Sequence, residues 1–353
     1  KNYPDGWADL DPYASYKANF DGTLRGSKNS ELIFTRTYIK ETITNIAKDG
    51  VPKSLKGNNK LGVTQKAVDA FYMNDGRTID EASEDGDYIE EGFTTTAGQY
   101  PFVPLDVSLM YVNREPRFYA TVAFSGSLWE CESANETQYK NQQIFYYRDG
   151  TDGKQGFKEE CPLTGIGFNK YNNREDAYTT GGYRVDKTEP TIRYAEILLA
   201  YAEALNELSP GKSYMVKAYK DDDITVEYNL NEIRRAIKPI RMRAGLPDYK
   251  DAEYNNKNNL SLKMKRERQI EFIGEGTARY RDLRRWKDAL VEENKPIQGC
   301  NINIPKDDAV KQNFYKSVVV TSVPKSFVQM MYLLPFPQQE LKKNVNLTQN
   351  PGW

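Results

Sequence analysis

At residues 266–289 the chain reads RERQIEFIGEGTARYRDLRRWKDA. Its first half predicts an amphipathic helix, because Ile270 and Ile273 lie three residues apart and charged residues occupy the other flanks. Gly274 and Gly276 are expected to end that helix, since glycine weakens helices and favours turns. The chain is therefore expected to be organised around a pair of helices separated by glycines.

A second helical run follows the glycines, at residues 279–290. Its apolar residues recur every three or four positions and form one stripe: Tyr280, Leu283, Trp286 and Leu290. The cations that flank the stripe are Arg279, Arg281, Arg284, Arg285 and Lys287. Such a segment could bind nucleic acid through its cations and aromatic rings, or it could face a protein core while the arginines form salt bridges. The helical spacing of the aromatics favours the core.

Composition excludes several classes of protein. The 353 residues suffice for one large domain or two ordinary ones, and 49 basic residues against 50 acidic ones give a net charge of −1. That balance argues against a general nucleic-acid binder, which usually carries a basic excess. No run of about 18 apolar residues occurs, so no transmembrane helix is predicted.

The chain contains no histidine, which excludes Ser-His-Asp and Cys-His catalysis and histidine zinc sites. Three separated cysteines form no CxxC motif, so no zinc site is expected; one disulfide could form in an exported protein, with Cys131–Cys161 the nearer pair and Cys300 left over. The run Asp221–Asp223 could attract calcium, but it lacks the EF-hand pattern, so we expect a solvated acidic loop and no cofactor.

Periodicity predicts several elements in the first part of the chain. They are a strand at 31–39, a long exposed loop at 41–63, a short helix at 64–73, and a turn and strand at 113–129. In the helix, Val68, Phe71 and Tyr72 are expected to face inward. Residues 130–190 show little hydrophobic pattern and are expected to form loops and short strands.

The pattern becomes helical at Pro190, a residue that suits the start of a helix. Residues 191–208, TIRYAEILLAYAEALNEL, give the clearest helix of the chain. A second helix is expected over 230–244, interrupted near Pro239 and ended by Gly245. Paired helices with small alanines at the crossing resemble tetratricopeptide units, although no 34-residue repeat is found.

Seven motifs together resemble the SusD/RagB-type proteins, which are surface nutrient-binding lipoproteins of Bacteroidetes outer membranes. In chain order they are ELIFTR at 31–36, VDAFYMNDGRTI at 68–79, NREPRFYATVAFSGSLW at 113–129, IRYAEILLAYAEALNE at 192–207, IRMRAGLP at 240–247, KRERQIEFIGEGTARYRDLRRWKDAL at 265–290 and YLLPFPQQELKKNVNLTQNPGW at 332–353. The chain resembles the C-terminal two-thirds of the family. The family's leader, lipidated cysteine and first helices are expected to lie in an N-terminal third absent from this sequence.

The resemblance implies a mainly α fold, in which a tetratricopeptide-like helical scaffold carries an irregular, loop-rich lobe with short strands. We expect the lobe and the ligand site within residues 1–190, and the scaffold with the family's C-terminal tail within 191–353. The family also implies a lipid-anchored protein on the outer-membrane surface that delivers ligand to a SusC-like TonB-dependent transporter. Its ligands are mostly oligosaccharides, with oligopeptides for some members, and no chemistry is performed on them.

Sugar binding requires flat aromatic faces and polar groups for hydroxyls. The candidate glycan-binding residues are Trp129, Tyr88, Tyr100, Phe102 and Trp7, with Asn58 and Asn59 from a loop that matches one bordering the family's ligand. Each could instead pack the irregular lobe. The residues assigned to structure are Trp286, Arg284, Arg285 and Glu271, because the family places that segment inside the scaffold.

Three alternatives to glycan binding remain open. A peptide-binding family member would use the same lobe, whereas a tetratricopeptide-type interaction scaffold would contact its partner through the helices after residue 190. A glycoside hydrolase would need two carboxylates about 5–10 Å apart, and no motif singles out such a pair. The identity, linkage and length of a bound sugar cannot be read from the residue pattern.

Overall fold

The computed structural model describes residues 10–36, 40–99, 102–156, 161–219, 222–321 and 324–353. The α-helices in these ranges are α1 Pro12–Lys17, α2 Lys40–Gly50, α3 Gln65–Ala70, α4 Ile79–Glu84, α5 Pro116–Thr121, α6 Tyr194–Glu207, α7 Leu230–Arg243, α8 Asp251–Tyr254, α9 Lys257–Glu271, α10 Ala278–Arg285, α11 Ala289–Glu292 and α12 Gln338–Lys343. The three longest, α6, α7 and α9, all lie after residue 190.

The strands are short and pair only two at a time within the described ranges. The antiparallel pairs are β1 Leu32–Arg36 with β6 Glu189–Arg193, β2 Val122–Ala123 with β5 Gly167–Phe168, β3 Leu128–Trp129 with β4 Gln142–Gln143, β7 Ser213–Lys217 with β8 Asp223–Glu227, and β9 Gln298–Gly299 with β10 Val318–Val319. The fold is therefore helical and loop-rich, with short strands, as predicted.

Helices α6, α7 and α9 share one apolar cluster. Ala202 and Leu205 of α6 meet Ile233 and Ile237 of α7, and Leu260 from α9 completes the contact. The three- and four-residue spacings bring these side chains to one face of each helix. The two predicted helices are confirmed, and α7 continues through its internal proline instead of being interrupted there.

The start of α6 differs from the prediction. Pro190 lies inside β6, opposite Thr35 of β1, and the helix begins only at Tyr194. A proline is tolerated in a strand that pairs along one edge, because its missing N–H can face away from the partner. Pairing with β1 therefore keeps Glu189–Arg193 extended, and the helix begins only after this strand.

Two other predictions in the first half are wrong. Residues 40–50 form α2 instead of an exposed loop, and Ile46 and Ala47 pack with Phe20, which follows α1. The predicted strand within 113–129 is mostly α5, which begins at Pro116 and has Arg117–Thr121 buried. A short apolar run that is buried on all sides lacks a helical or strand period, so pattern alone could not distinguish the two.

The apolar stripe predicted within 279–290 is broken. Leu283 is buried, but Tyr280 and Leu290 are 48% and 41% exposed. Because α10 ends at Arg285 and α11 begins at Ala289, the helical phase does not continue across the stripe. Trp286 is half-buried, and its Nε1 donates a 2.7 Å hydrogen bond to Glu203 of α6.

Arg285 makes the same connection as Trp286, because its Nη2 donates to Glu203 Oε2 at 3.0 Å. Arg284 instead contacts the C-terminal part of the chain, where it donates to the backbone oxygen of Tyr332 at 2.5 Å. Both arginines therefore bind protein groups in this structure. Such contacts fit the structural assignment that the sequence suggested for this segment.

Charged residues at the end of α9 are fully buried. Glu271 accepts from Arg117 of α5 at 2.8 Å and from Arg193 of β6 at 2.7 Å, and it also pairs with Arg243 of α7. A buried carboxylate needs such partners, since an unpaired buried charge is strongly unfavourable. Arg268, three residues earlier on α9, forms a bidentate ion pair with Asp282 of α10.

The largest apolar cluster contains residues from both halves of the chain. Val51, Phe118 and Tyr146 share it with Ile270 and Phe314. A boundary at residue 190 stays a prediction, and side chains from both sides of it pack together. No helix within the described ranges is long and apolar enough to cross a membrane.

The cysteines do not form the disulfide that closeness in sequence favoured. Cys131, Cys161 and Cys300 are all buried, and no disulfide joins them. Cys300 lies beside the Tyr111 hydroxyl, at 3.8 Å, inside the largest apolar cluster. Burial raises the pKa of the Cys300 thiol to about 12. Packing, not covalent pairing, therefore accommodates this cysteine.

Candidate functional site

An exposed aromatic surface lies where α1 and α5 meet the loop around Phe102. We call it the aromatic ledge and define it by Tyr13, Phe102, Tyr119, Leu128 and Glu130. The Phe102 side chain is 48% exposed, and its ring stacks on each of the other two rings. Its centroid lies 4.9 Å from Tyr13 and 5.1 Å from Tyr119, with interplanar angles of 27° and 26°.

The rings on either side of Phe102 are fixed by helices. Tyr13 lies in the first turn of α1, which Asp11 caps by accepting from the Ala14 N–H at 3.1 Å. Tyr119 is buried in α5, and its hydroxyl donates to the backbone oxygen of Tyr111 at 2.7 Å. The helices therefore fix the positions of both rings on which Phe102 stacks.

The backbone of Phe102 is left-handed, with φ at +62°. That conformation costs about 1–2 kcal/mol for an L-residue other than glycine. It persists here with the ring stacked on two others and half of its surface exposed. Strained residues of this kind cluster at functional sites, so the strain supports a functional hypothesis for this position.

Oxygen acceptors lie beside the rings. Glu130 Oε2 accepts a 3.0 Å hydrogen bond from the Tyr13 hydroxyl, and Asn169 Oδ1 is buried with no hydrogen-bond partner in the described part of the chain. Burial and, next, the charge of Glu130 raise the pKa of Tyr13, which keeps its hydroxyl protonated as a donor. Carboxylate and amide oxygens can accept further hydrogen bonds from a ligand's hydroxyls.

The hollow between these groups measures about 100 Å³. Enclosed small-molecule pockets are larger, usually about 300–1,000 Å³, so the site is an open ledge. The exposed part of the Phe102 ring can pack against the apolar face of a sugar, and the oxygens at its edge can accept hydrogen bonds from the sugar's hydroxyls. Nothing in this arrangement activates a nucleophile.

Trp129, the first glycan-binding candidate, is only 1% exposed and lies in the largest apolar cluster. Successive residues of a strand point to opposite faces, and in β3 it is Leu128 that points outward to the ledge. The indole ring of Trp129 thus has no free face for stacking in this structure. We build the candidate site without it.

Three other candidates, Tyr88, Asn58 and Asn59, do not line the ledge. Tyr88 is largely buried and lines a separate cavity. Asn58 donates to Asp49 at 2.6 Å, and Asn59 donates to the backbone oxygen of Asp152 at 2.8 Å, so both amides tie their loop to the protein. Two further candidates, Tyr100 and Trp7, lie outside the described residues, as does Asp221 of the acidic run.

Of the predicted residues, the ledge contains Phe102, whereas sequence reasoning missed Tyr13, Tyr119, Glu130 and Asn169. Tyr13 and Glu130 are 117 positions apart, so no local pattern could connect them. Glu130 could have been found from the sequence, because it directly follows the candidate Trp129. Choosing it would have required knowing which residues of this strand face the core and which face the ledge.

Comparisons with known proteins agree with the fold. The SusD family profile matches residues 24–353. A solved SusD-like protein from Bacteroides fragilis NCTC 9343 is 25% identical with a TM-score of 0.67, and the match covers 99% of this chain and 59% of that one. A solved SusD-like carbohydrate binding protein from the same organism is 19% identical with a TM-score of 0.63, covering 96% of this chain and 58% of that one.

The similarity to the second solved structure shows the fold alone, because the sequence identity is only 19%. The chain spans less than three-fifths of the length of either solved relative. No curated protein matches the chain in sequence.

Proposed function

The chain belongs to the SusD family, and on this premise we propose that it binds oligosaccharides at the cell surface and performs no chemistry on them. We assign sugar binding to the aromatic ledge. The observation that supports this assignment is the half-exposed ring of Phe102, which stacks on Tyr13 and Tyr119 and has Glu130 and Asn169 beside it. A ring face with adjacent acceptors fits the alternation of apolar faces and hydroxyls on a pyranose.

Replacement of Phe102 by alanine tests the ledge. About half of the ring is exposed, so a sugar that covers it should gain about 1 kcal/mol, and Phe102→Ala should weaken binding about fivefold. Titration calorimetry with a panel of neutral oligosaccharides measures this difference. Circular dichroism of the same samples reports whether the variant is folded.

Phe34→Ala is the matched control, because Phe34 is 58% exposed on β1 and does not line the ledge. It should bind the panel as the unaltered protein does. Equal affinity of the two variants for every sugar would contradict the assignment to the ledge. Binding of oligopeptides but of no saccharide would move the protein to the peptide-binding alternative.

The absence of catalysis has its own test. Incubation of the tightest-binding oligosaccharide with the protein, followed by chromatography of the products, should return the sugar intact. Slow release of shorter sugars would favour the hydrolase alternative instead. A carboxylate variant that still binds but no longer cleaves would then identify the catalytic acid.

We also propose that the whole protein is lipid-anchored in the outer membrane and passes its ligand to a SusC-like TonB-dependent transporter. Family membership supports this proposal. Affinity purification of the full-length protein from solubilised outer membranes should recover such a transporter. Recovery of the protein alone, or its release from cells without detergent, would contradict the proposal.

A further inference from the structure

A second cavity, of about 460 Å³, lies between α3 and the segment 298–317. This volume falls in the range of about 300–1,000 Å³ that is usual for small-molecule sites. Its lining includes Gln65 and Asp69 of α3, Tyr88, Glu90 and Glu91 of the following loop, and Lys316. None of these residues belongs to the aromatic ledge. We call this space the Gln65 cavity.

Gln65, which lines the cavity, carries a buried acceptor without a partner in the described residues. The residue is only 6% exposed, and its Nε2 donates to Asp69 Oδ1 at 2.8 Å. A carboxylate only accepts hydrogen bonds, so this contact fixes the amide with Oε1 on the other side. Over the described ranges, no donor lies within hydrogen-bond distance of Oε1, although the atom is buried. A donor supplied by a ligand in the cavity would satisfy this atom.

The charges around the cavity are mostly negative. Asp69, Glu90 and Glu91 contribute carboxylates, whereas Lys316 contributes the cation of the lining. Asp69 is only partly exposed, while Glu90 and Glu91 are exposed at the mouth. An electronegative mouth that leads to buried acceptors attracts a positively charged donor and disfavours an anion.

The carboxylates do not favour a metal ion. In the part of the chain that the structure describes, no group of three or more His, Cys, Asp or Glu side chains is arranged to hold one. Calcium takes six to eight oxygen ligands at about 2.3–2.6 Å, which requires a tighter arrangement. The spread of the carboxylates over a cavity of about 460 Å³ fits a larger cation that carries its charge at one end.

We infer that the Gln65 cavity binds a protonated primary amine on a hydroxylated ring, that is, an amino sugar with a free amino group. The ammonium group would donate to Gln65 Oε1 and Asp69, while Glu90 and Glu91 attract its charge. The Tyr88 ring and the side chains of Gln298 and Ser317, which also line the cavity, would contact the rest of the ring. This inference goes beyond the proposed function, which concerns neutral sugars on another surface.

The test compares two ligands that differ at the amino group. Calorimetry at neutral pH and low salt is carried out with the β-1,4-linked glucosamine dimer and with its N-acetylated form, which has no charge. A charge-assisted hydrogen bond is worth more than a neutral one, so we expect the free amine to bind at least about tenfold more tightly. Equal affinity for the two dimers would overturn the inference.

Two variants locate the binding. Gln65→Met keeps the side-chain length and removes the acceptor, and Glu90→Gln removes one exposed charge at the mouth. We expect Glu90→Gln to weaken binding of the glucosamine dimer about threefold, and Gln65→Met to weaken it about tenfold. Glu136→Gln, at an exposed position outside the cavity, is the matched control and should bind normally. Unchanged affinity in both cavity variants would overturn the inference, and because Glu90 is exposed this result does not depend on the folding of Gln65→Met.

Two further measurements separate this site from its alternatives. Putrescine carries amines without a sugar ring, and binding as tight as that of the glucosamine dimer would overturn the assignment to an amino sugar. Phe102→Ala should lose affinity for neutral oligosaccharides and keep its affinity for the glucosamine dimer. If the dimer loses affinity in Phe102→Ala to the same extent, it binds at the ledge and the separate site is refuted.

Discussion

Glu271 is held by arginines from three different elements at the end of α9. Although burial alone would raise the pKa of this carboxyl, the guanidinium groups of Arg243, Arg193 and Arg117 hold it well below its usual range. A depressed pKa in the folded state means that the charged form stabilises the fold above the unfolded-state pKa. That stabilisation is lost only in strong acid, as the pH falls through the pKa of the folded protein.

Glu271→Gln should therefore destabilise the protein strongly. The change keeps the shape but removes the carboxylate that Arg117, Arg193 and Arg243 share, so each guanidinium group loses one of its ion-pair partners, a loss of about 3–5 kcal/mol. Urea unfolding at pH 7 measures it. From the sign of the pKa shift, we expect the difference from the unaltered protein to persist at pH 5 and to narrow only in stronger acid.

Glu340→Gln is the control for this measurement, since Glu340 forms an ion pair with Lys343 that is about half exposed. Its unfolding free energy should change by less than about 1 kcal/mol. If Glu271→Gln were as stable as Glu340→Gln, the buried charges would contribute nothing net to the fold.

The sequence indicated which residue types matter, but it did not indicate which way their side chains point. Phe102, a candidate for glycan binding, is exposed, and Glu271, assigned to structure, is buried, while the binding role of Phe102 stays a prediction. Trp129 was chosen for its large ring, yet its side chain points into the core while its neighbour Leu128 points outward. Whether Leu128 or Trp129 faces outward depends on a shift of one residue in the strand. A strand of two residues is too short to show an alternating pattern that would decide between them.

Helix α10 packs one buried leucine against the C-terminal part of the chain, in addition to the hydrogen bond from Arg284 to Tyr332. Leu283 packs with Ala289 and Phe327, and Met331 and Tyr332 lie against the same cluster. Only this position of the predicted stripe is buried, because the helix stops before the stripe is complete. The contact attaches the segment after residue 324 to the helices.

Leu283→Ala should lower the unfolding free energy by about 2–5 kcal/mol, the usual cost of emptying a buried leucine site. Leu290→Ala provides the matched control, since Leu290 is 41% exposed and surface changes usually cost about 0.5 kcal/mol or less. Urea unfolding of both variants measures the difference. Similar losses in the two variants would mean that the stripe is buried along its whole length after all.

Helices long enough to repeat the helical spacing several times were predictable from the sequence, whereas short helices and strands were not. The α6 and α7 helices were found from apolar spacing over fourteen residues each. The α5 helix has six residues, which span less than two turns and show no amphipathic period. Pairing between β1 and β6 involves residues about 155 positions apart, so the chain gave no sign that Pro190 would be extended.

For the whole molecule, family membership carried the prediction further than local patterns did. The motifs in family order indicated a helical scaffold with a loop-rich lobe, and the fold agrees. The ledge could not be predicted in the same way, because it joins side chains from α1, α5 and two loops. Such a site depends on tertiary packing, which residue spacing does not report.

A crystal structure of the protein with its tightest-binding neutral oligosaccharide would show where the sugar lies. We expect one pyranose ring to face the Phe102 ring, with a hydroxyl within about 3 Å of an oxygen of Glu130 or Asn169. A sugar bound instead by the helices after residue 190, with the ledge uncovered, would contradict the assignment of glycan binding to the aromatic ledge.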